Sequence, residues 1–206
     1  MIREDLMHHS GEVSANVPDW SRERCVRFWD PARRLLRAVR SYQRFKKRGF
    51  PFKSLRKYWV LEHRFWSMVA GADIPLESEI GGGLLLTHPN GVVIFPGAVI
   101  GPNCLISQQV TIGVGGSKLG APVIGGHVDV GAGAKILGGV RIGDHARIGA
   151  NAVVLEDVPS GATAVGVPAR IVRNRKLFLR REEIAETESD AYGSSFMHDP
   201  TDHLVC

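Results

Sequence analysis

Long apolar segments and paired cysteines are both missing from this sequence of 206 residues. No apolar run approaches the ~20 residues that a bilayer-spanning helix needs, and the N-terminus, with Arg3, Glu4 and Asp5, has no apolar stretch of the kind found in signal peptides. We therefore expect a soluble cytoplasmic protein. The absence of any CxxC pair argues against a disulfide framework and against a zinc or other metal site, and predicts reduced structural thiols at Cys25, Cys104 and Cys206.

Motifs for binding nucleotides through a P-loop, or for binding nucleic acid, are missing as well. A net charge of +5 without such a motif gives no support to a nucleic-acid partner. The apolar fraction of 44% and the charged fraction of 23% are ordinary, which excludes a disordered or fibrous chain and allows one main folded domain. Glycine is plentiful instead, because most of the 24 glycines lie between positions 81 and 166.

Two helices are predicted before the glycine-rich region. Residues 1–20 have no clear period and are predicted to form a weakly ordered lead-in. Apolar residues then recur at helical spacing from about Arg22 to Arg48 and from about Lys53 to Val69, with a break near Gly49 and Pro51. We therefore divide the chain into an N-terminal helical segment (1–70), a main domain (71–173) and a helical or disordered C-terminal tail (174–206).

The first predicted helix is strongly basic. Eleven Lys or Arg residues lie between Ser21 and Arg48, against only Glu23 and Asp30. One interpretation is peripheral contact with an anionic membrane or with a lipid-linked acceptor. The other is a helical cap whose arginines are solvated or pair with acidic residues of a neighbouring subunit. The sequence leaves both open.

A six-residue repeat identifies the fold of the main domain. Aliphatic residues recur every six positions, mostly followed by a small residue or glycine, and the fifth position is small or β-branched. Each unit of this kind is a short strand plus a turn, and three units close one triangular coil whose aliphatic residues point inward. A sandwich would instead show a period of two. The series are Ile74, Ile80, Leu86; Ile94, Ile100, Ile106, Ile112; and Ile124, Val130, Ile136, Ile142, Ile148, Val154.

The glycine after the aliphatic residue has two predicted reasons. It suits a corner at which a Cβ would strain the backbone conformation, and it suits a position at which neighbouring chain segments approach closely. Two interruptions of the repeat, at 87–91 and at about 113–122, are predicted to leave the solenoid as loops. Lys118 falls at an expected aliphatic position, so the second interruption is predicted to be an extruded glycine-rich arm.

Several motifs in this region resemble the serine acetyltransferase family of hexapeptide-repeat acyltransferases. They are ADI at 72–74, LLLTHPNGVVI at 84–94, QQVTIG at 108–113, VGAGAKILG at 130–138 and VGVPARIV at 165–172. The resemblance implies an all-β main domain that is a left-handed parallel β-helix, use of acetyl-CoA as co-substrate, and a homotrimer with active sites between subunits. It also places the chain closer to the short members encoded with polysaccharide assembly than to serine acetyltransferase proper.

His88 is the candidate general base. It lies in the first interruption, and an imidazole with an ordinary pKa near ~6.5 accepts a proton at neutral pH. Asp73 precedes it by fifteen residues in a coil of eighteen, so it is predicted beside His88 on the adjacent layer, where a carboxylate stabilises an imidazolium. The resembling family uses an Asp and a His at these motif positions as a catalytic dyad. The other histidines are predicted to be structural or surface residues.

Small residues and cations are the candidates for holding the two substrates. Coenzyme A needs backbone amides, small corners and cations for its phosphates. The predicted coenzyme A set is Gly113, Gly115, Gly116, Ala132, Gly133, Ala134, Lys135, Arg170 and Arg173. Each of these glycines and alanines has an equally good explanation in the fold alone. The predicted acceptor set is Thr87, Pro89, Asn90 and Gln108.

The acceptor side departs from serine acetyltransferase proper. That family has an Arg-His pair just before a proline in the arm, where this chain has Gly120 and Ala121, and an Asp before the base, where this chain has Thr87. An unpaired substrate carboxylate is costly to bury, so these positions favour a neutral hydroxyl on a sugar or glycan intermediate of polysaccharide biosynthesis. Serine O-acetylation is the alternative acceptor chemistry, and a non-catalytic β-helix scaffold is the alternative of another class.

Overall fold

The computed structural model describes residues 13–27, 29–48 and 53–172. The predicted C-terminal tail and Arg173 lie outside these residues. The described chain forms a short 3-10 helix over Trp20–Glu23 and two α-helices, followed by a parallel β-solenoid, which confirms the predicted fold class. None of the described helices has the length and hydropathy to cross a membrane.

The two predicted helices are present, and the first begins later than predicted. Helix α1 spans Pro31–Arg48 and helix α2 spans Lys53–Ala70. The prediction that the first helix begins near Arg22 is wrong, because proline has no backbone N–H and disrupts a helix interior but fits the first turn. Asp30 caps the helix through its side chain, which accepts a hydrogen bond from the Arg33 amide at 3.2 Å.

Part of the predicted lead-in is anchored to the β-solenoid by one buried asparagine. The Asn103 side chain donates hydrogen bonds to the carbonyls of Ser14 and Val17, each at 2.7 Å, and accepts one from the Asp19 amide, also at 2.7 Å. Asn103 is 1% exposed, so these hydrogen bonds are shielded from water. The prediction of a weakly ordered lead-in therefore fails from about residue 14 onward, because its partners, Asn103 and glycines such as Gly82 and Gly126, are distant in sequence and the local pattern does not show them.

The β-solenoid is built from strands of two or three residues. The described strands are β1 Glu79–Ile80, β2 Leu85–Leu86, β3 Val93–Ile94, β4 Val99–Ile100, β5 Leu105–Ile106, β6 Thr111–Gly113, β7 Val123–Ile124, β8 Asp129–Val130, β9 Lys135–Leu137, β10 Arg141–Ile142, β11 Arg147–Ile148, β12 Val153–Val154, β13 Thr163–Val165 and β14 Arg170–Val172.

Three parallel sheets form the walls of the prism. Sheet 1 contains β1, β4, β7 and β10; sheet 2 contains β2, β5, β8, β11 and β13; sheet 3 contains β3, β6, β9 and β12. Successive strands of the chain visit sheets 1, 2 and 3 in turn, so the described strands make four complete coils. Strand β14 pairs antiparallel with β13 and ends the second sheet.

The predicted aliphatic series fills the interior of the prism. In sheet 1, Ile100 pairs in register with Ile80 and Ile124, and the same in-register stacking recurs in the other two sheets. All thirteen residues of the three series are buried in one core cluster. The core also includes Cys104, whose thiol pKa is raised to about 11 by burial. The inward direction of the repeat is therefore confirmed residue by residue.

Gly81 and Gly131, which each follow an aliphatic residue of the repeat, are explained by close approach alone. Gly81 and Gly131 do not have a positive φ, but a Cβ added at Gly131 would lie 2.6 Å from the Ala150 backbone nitrogen, and one at Gly81 would lie 2.5 Å from that of Pro102. The positive φ values fall at later corner residues, such as Asn103 (60°) and Gln109 (58°). The conformational reason predicted for these two glycines is therefore wrong, and the packing reason holds.

We expect Gly131→Ala to destabilise the protein and Gly113→Ala to leave it nearly unchanged. At Gly131 the added methyl meets only backbone atoms of the next coil, and overpacking of this kind costs about 1–3 kcal/mol. At Gly113 the nearest atom to an added Cβ is a Thr111 methyl at 3.9 Å. Thermal unfolding followed by circular dichroism should show a Tm lower by several degrees for Gly131→Ala alone. Equal values for the two variants would contradict the close-approach explanation.

Candidate active site on one edge of the prism

His88 lies on the edge at which the chain passes from sheet 2 to sheet 3. It belongs to the corner Thr87–Gly91 between β2 and β3, and its side chain is exposed. The second half of this corner is fixed by the backbone: the Gly91 amide donates to the Gly71 carbonyl at 2.7 Å, and the Asn90 carbonyl accepts from the Gln109 amide at 2.9 Å. The fold thus holds the corner in place while the imidazole faces solvent.

Asp73 reaches the same edge from the layer below. Its amide donates to the Val92 carbonyl at 2.8 Å, and its carbonyl accepts from the Ile94 amide at 2.9 Å, so residue 73 extends sheet 3 beneath β3. Its side chain is exposed. The backbone therefore brings Asp73 next to the corner that carries His88.

The side chains of Asp73 and His88 are not bonded to each other in the described chain. Within residues 13–27, 29–48 and 53–172, no hydrogen bond or ion pair joins the two groups. Both side chains are exposed. Their joint action as a dyad stays a prediction.

The predicted acceptor and coenzyme A residues fall largely on one column of corners. The Gly133 amide donates to the Gln108 carbonyl at 2.8 Å, and the Asn151 amide donates to the Ala132 carbonyl at 2.8 Å. With the bond from Gln109 to Asn90, these contacts stack the corners of four coils along the edge between sheets 2 and 3. The Lys135 ammonium adds a bond of 2.6 Å to the Gln109 carbonyl. We call this column the 2–3 edge.

The small size of Ala134 and Gly133, two residues of the predicted coenzyme A set, is explained by the fold, although Gly133 keeps exposed surface on the 2–3 edge. Ala134 has no exposed surface, its amide donates to Gly131, and its carbonyl accepts from Thr111. Gly133 has a positive φ of 73°, and a Cβ there would collide with the Asn151 side chain. Their small size is therefore explained without a ligand. Ala132 and Lys135 stay candidates for contact with coenzyme A.

The glycine-rich arm leaves the prism at a different edge. It connects β6 in sheet 3 to β7 in sheet 1, so in a single chain it lies across the width of sheet 3 from His88. Gly115 and Gly116 have positive φ values of 123° and 78°. The Lys118 carbonyl accepts from the Gly139 amide at 3.1 Å, and its ammonium pairs with Asp157 at 2.8 Å, which lowers the pKa of that carboxyl.

The remaining candidates lie apart from the 2–3 edge. Gly113 ends β6 at the base of the arm, and its carbonyl accepts from the Gly138 amide at 2.9 Å. Arg170 is exposed on β14, beside sheet 2 at the end of the solenoid. The single chain therefore joins His88, Asp73 and the acceptor set on one edge, and separates them from the arm.

Sequence reasoning missed a pair of stacked histidines on the edge between sheets 1 and 2. His127 and His145 are eighteen residues apart, which is one coil, and their Nδ1 atoms lie 2.9 Å from each other. Both adopt positive φ, and partial burial lowers the pKa of His127. Their separation of one coil length is the sequence signal that predicts contact between the two side chains. The pair joins two corners of the fold and lies away from the 2–3 edge.

Comparison with known proteins supports the repeat and points to one group of enzymes. Residues 121–156 match the family model of the bacterial transferase hexapeptide (six repeats). A serine acetyltransferase of Synechococcus elongatus is 45% identical over 107 residues, which cover 51% of this chain and 44% of that protein. The chain therefore spans less than half the length of this curated relative.

Solved structures give the same result. Soybean serine acetyltransferase complexed with serine superposes with a TM-score of 0.59 at 39% identity, covering 69% of this chain and 57% of that one. A serine acetyltransferase in complex with CoA superposes with a TM-score of 0.59 at 34% identity, covering 70% of this chain and 58% of that one. These relatives are named serine acetyltransferases, so the predicted closer kinship with polysaccharide-biosynthesis members is not confirmed.

Proposed function

We propose that this protein, whose β-helix carries the bacterial transferase hexapeptide repeat and is similar to that of serine acetyltransferases, is an acetyl-CoA-dependent O-acetyltransferase. The observation that carries the proposal is the exposed imidazole of His88 on the 2–3 edge, with the Asp73 backbone hydrogen-bonded into the same edge. The interior of the prism is filled by aliphatic side chains, so the reaction takes place outside it.

The proposed reaction needs one base and one carbonyl donor. His88 takes the proton of the acceptor hydroxyl while the hydroxyl oxygen attacks the thioester carbonyl carbon. The tetrahedral intermediate collapses as the C–O bond is kept and the C–S bond breaks, and the imidazolium returns its proton to the departing coenzyme A sulfur. Asp73 stabilises the imidazolium if its carboxylate turns toward the ring.

Acetyl-CoA is proposed to lie along the 2–3 edge. Ala132 and Gly133 leave this edge without long side chains, so an extended pantetheine chain has room beside the coils. Lys135 and Arg170 are the described cations of the predicted set, and the CoA complex of a related structure supports the choice of co-substrate. We expect a homotrimer, in which the arm of one subunit approaches the 2–3 edge of its neighbour.

L-Serine is the acceptor that the comparisons favour. The curated relative is named a serine acetyltransferase, and a related structure is a complex with serine. We therefore place L-serine first among candidate acceptors.

A neutral hydroxyl, as on a sugar, is the second candidate acceptor. Gly120 and Ala121 of the arm and Thr87 beside His88 carry no charge, so these positions offer no ion pair to the carboxylate or ammonium of an amino acid. Gly120 also has a φ of 113°, a conformation that disfavours a long cationic side chain there. The lack of charge at these three positions favours an uncharged acceptor such as a sugar.

We expect His88→Ala to lower kcat by about 10²–10⁴-fold, because general-base catalysis contributes roughly that much. The assay follows loss of the acetyl-CoA thioester with a saturating acceptor. His145→Ala, which removes the same side chain from a different edge, is the matched control and should retain activity. Full activity of His88→Ala would support a non-catalytic binding role for this corner and would remove the proposed base.

We expect L-serine and L-serinamide to be acetylated with kcat/KM values within about tenfold of each other. The amide lacks the carboxylate, and the loss of a hydrogen bond to a charged group costs about 1.5–3 kcal/mol only where a charged partner recognises it. A loss beyond about 100-fold for the amide would show that other residues bind the carboxylate. No turnover of either compound, together with turnover of a sugar, would exclude serine.

A further inference from the structure

Helix α2 carries an apolar face that the described chain leaves open. Its members recur every three or four residues, which places them on one side of the helix. The opposite side is closed, because Trp66 and Ala70 are buried in the core cluster. We call the open face the α2 stripe, and its exposed fractions are 45% for Leu55, 52% for Tyr58, 65% for Leu61, 48% for Phe65 and 78% for Met68.

Cations border the α2 stripe. Lys57 and Arg64 are exposed on the same helix, each four positions before a stripe residue, and Arg37 is exposed on α1. Within the described part of the chain, none of these three forms an ion pair. The basic residues that are paired lie elsewhere: Arg40 with Glu23 at 2.8 Å, and Lys46 with Glu77 at 2.6 Å. The border of the stripe is therefore positively charged.

A depression between α1 and α2 adjoins the stripe at Tyr58. The Arg37 guanidinium lies 5.7 Å from the Trp59 ring centroid. The Nε1–H of Trp59 is buried and has no acceptor among residues 13–27, 29–48 and 53–172. The one carboxylate there, Glu62, already accepts hydrogen bonds from the Tyr58 hydroxyl at 2.6 Å and from Trp66 Nε1 at 2.7 Å. The depression is lined by Arg34, Arg37, Tyr58, Trp59 and Glu62.

The combination fits an anionic lipid surface. An apolar face with aromatic residues and a cationic border is the composition of helices that lie in the bilayer interface. The exposed Arg37 guanidinium at the depression is a donor for a phosphate oxygen. A second copy of this chain docked stripe to stripe would instead bring Lys57 and Arg64 close to their equivalents, which is unfavourable.

We propose that the α2 stripe and the adjoining α1–α2 depression form a docking surface for an anionic membrane, with the stripe between the lipid chains and a headgroup phosphate in the depression. This surface is separate from the 2–3 edge, so the docking proposal does not depend on the catalytic proposal. Its effect is to hold the protein at a membrane surface.

The test is co-sedimentation of the full chain with vesicles of phosphatidylcholine alone or mixed with phosphatidylglycerol, at low and high salt. We expect binding to the mixed vesicles that weakens with salt, and little binding to phosphatidylcholine alone. Leu61→Glu/Met68→Glu should lower the partition coefficient at least about tenfold, because both side chains leave the lipid phase. Val17→Glu/Val26→Glu adds the same charge at exposed valines outside the stripe and should bind like the wild type.

Three results would overturn the proposal. Equal binding of the stripe variant and the valine variant would remove the stripe from the interaction. A drop in oligomer mass by light scattering for Leu61→Glu/Met68→Glu, without vesicle binding of the wild type, would assign the stripe to contact between copies. Quenching of tryptophan fluorescence by inorganic phosphate, again without vesicle binding, would assign the depression to a soluble anion. Circular dichroism of each variant verifies that the helices are retained.

Discussion

The in-register stacking of one aliphatic residue from each six-residue unit is the constraint on which the rest of this structure depends. Ile80, Ile100, Ile124 and Ile142 stand above one another in sheet 1, and each is buried. Because strands are only two or three residues long, no strand is stable alone, and the backbone bonds between coils form only when these stacks align. Glycine at the following position lets the coils approach closely enough for those bonds.

The same constraint limits where a functional site can form on this protein. Aliphatic stacks leave no room for a polar cavity in the prism, and the walls are short strands with paired backbone groups. Functional side chains are therefore found at the edges, where the chain turns and insertions leave the solenoid. The corner that holds His88 is fixed through Gly91 and Asn90, while its imidazole stays exposed. A fixed backbone thus presents an exposed imidazole, which is the arrangement that the proposed acyl transfer uses.

The helices contribute a second set of apolar side chains, which lies outside the prism. One side of α2 closes the base of the β-helix through Trp66 and Ala70, and the other side exposes Leu61 and Met68. Aromatic and arginine side chains between α1 and α2 order this region by cation–π contacts, such as Arg34 with Trp66 at 5.6 Å. Basic residues near the N-terminus, including Lys57 and Arg64, therefore border an exposed apolar face of α2.

The sequence by itself determined the solenoid, since the period of six can be read from the order of residues without any knowledge of their contacts. It also located His88, because that residue lies where the period is interrupted. Tertiary structure decided what the period cannot encode. The start of α1 at Pro31, the anchoring of Ser14 and Val17 by Asn103, and the stacking of His127 on His145 all join residues through space. It also placed the arm on a different edge from Asp73 and His88, because the order in which the strands enter the three sheets determines the edge that each corner occupies.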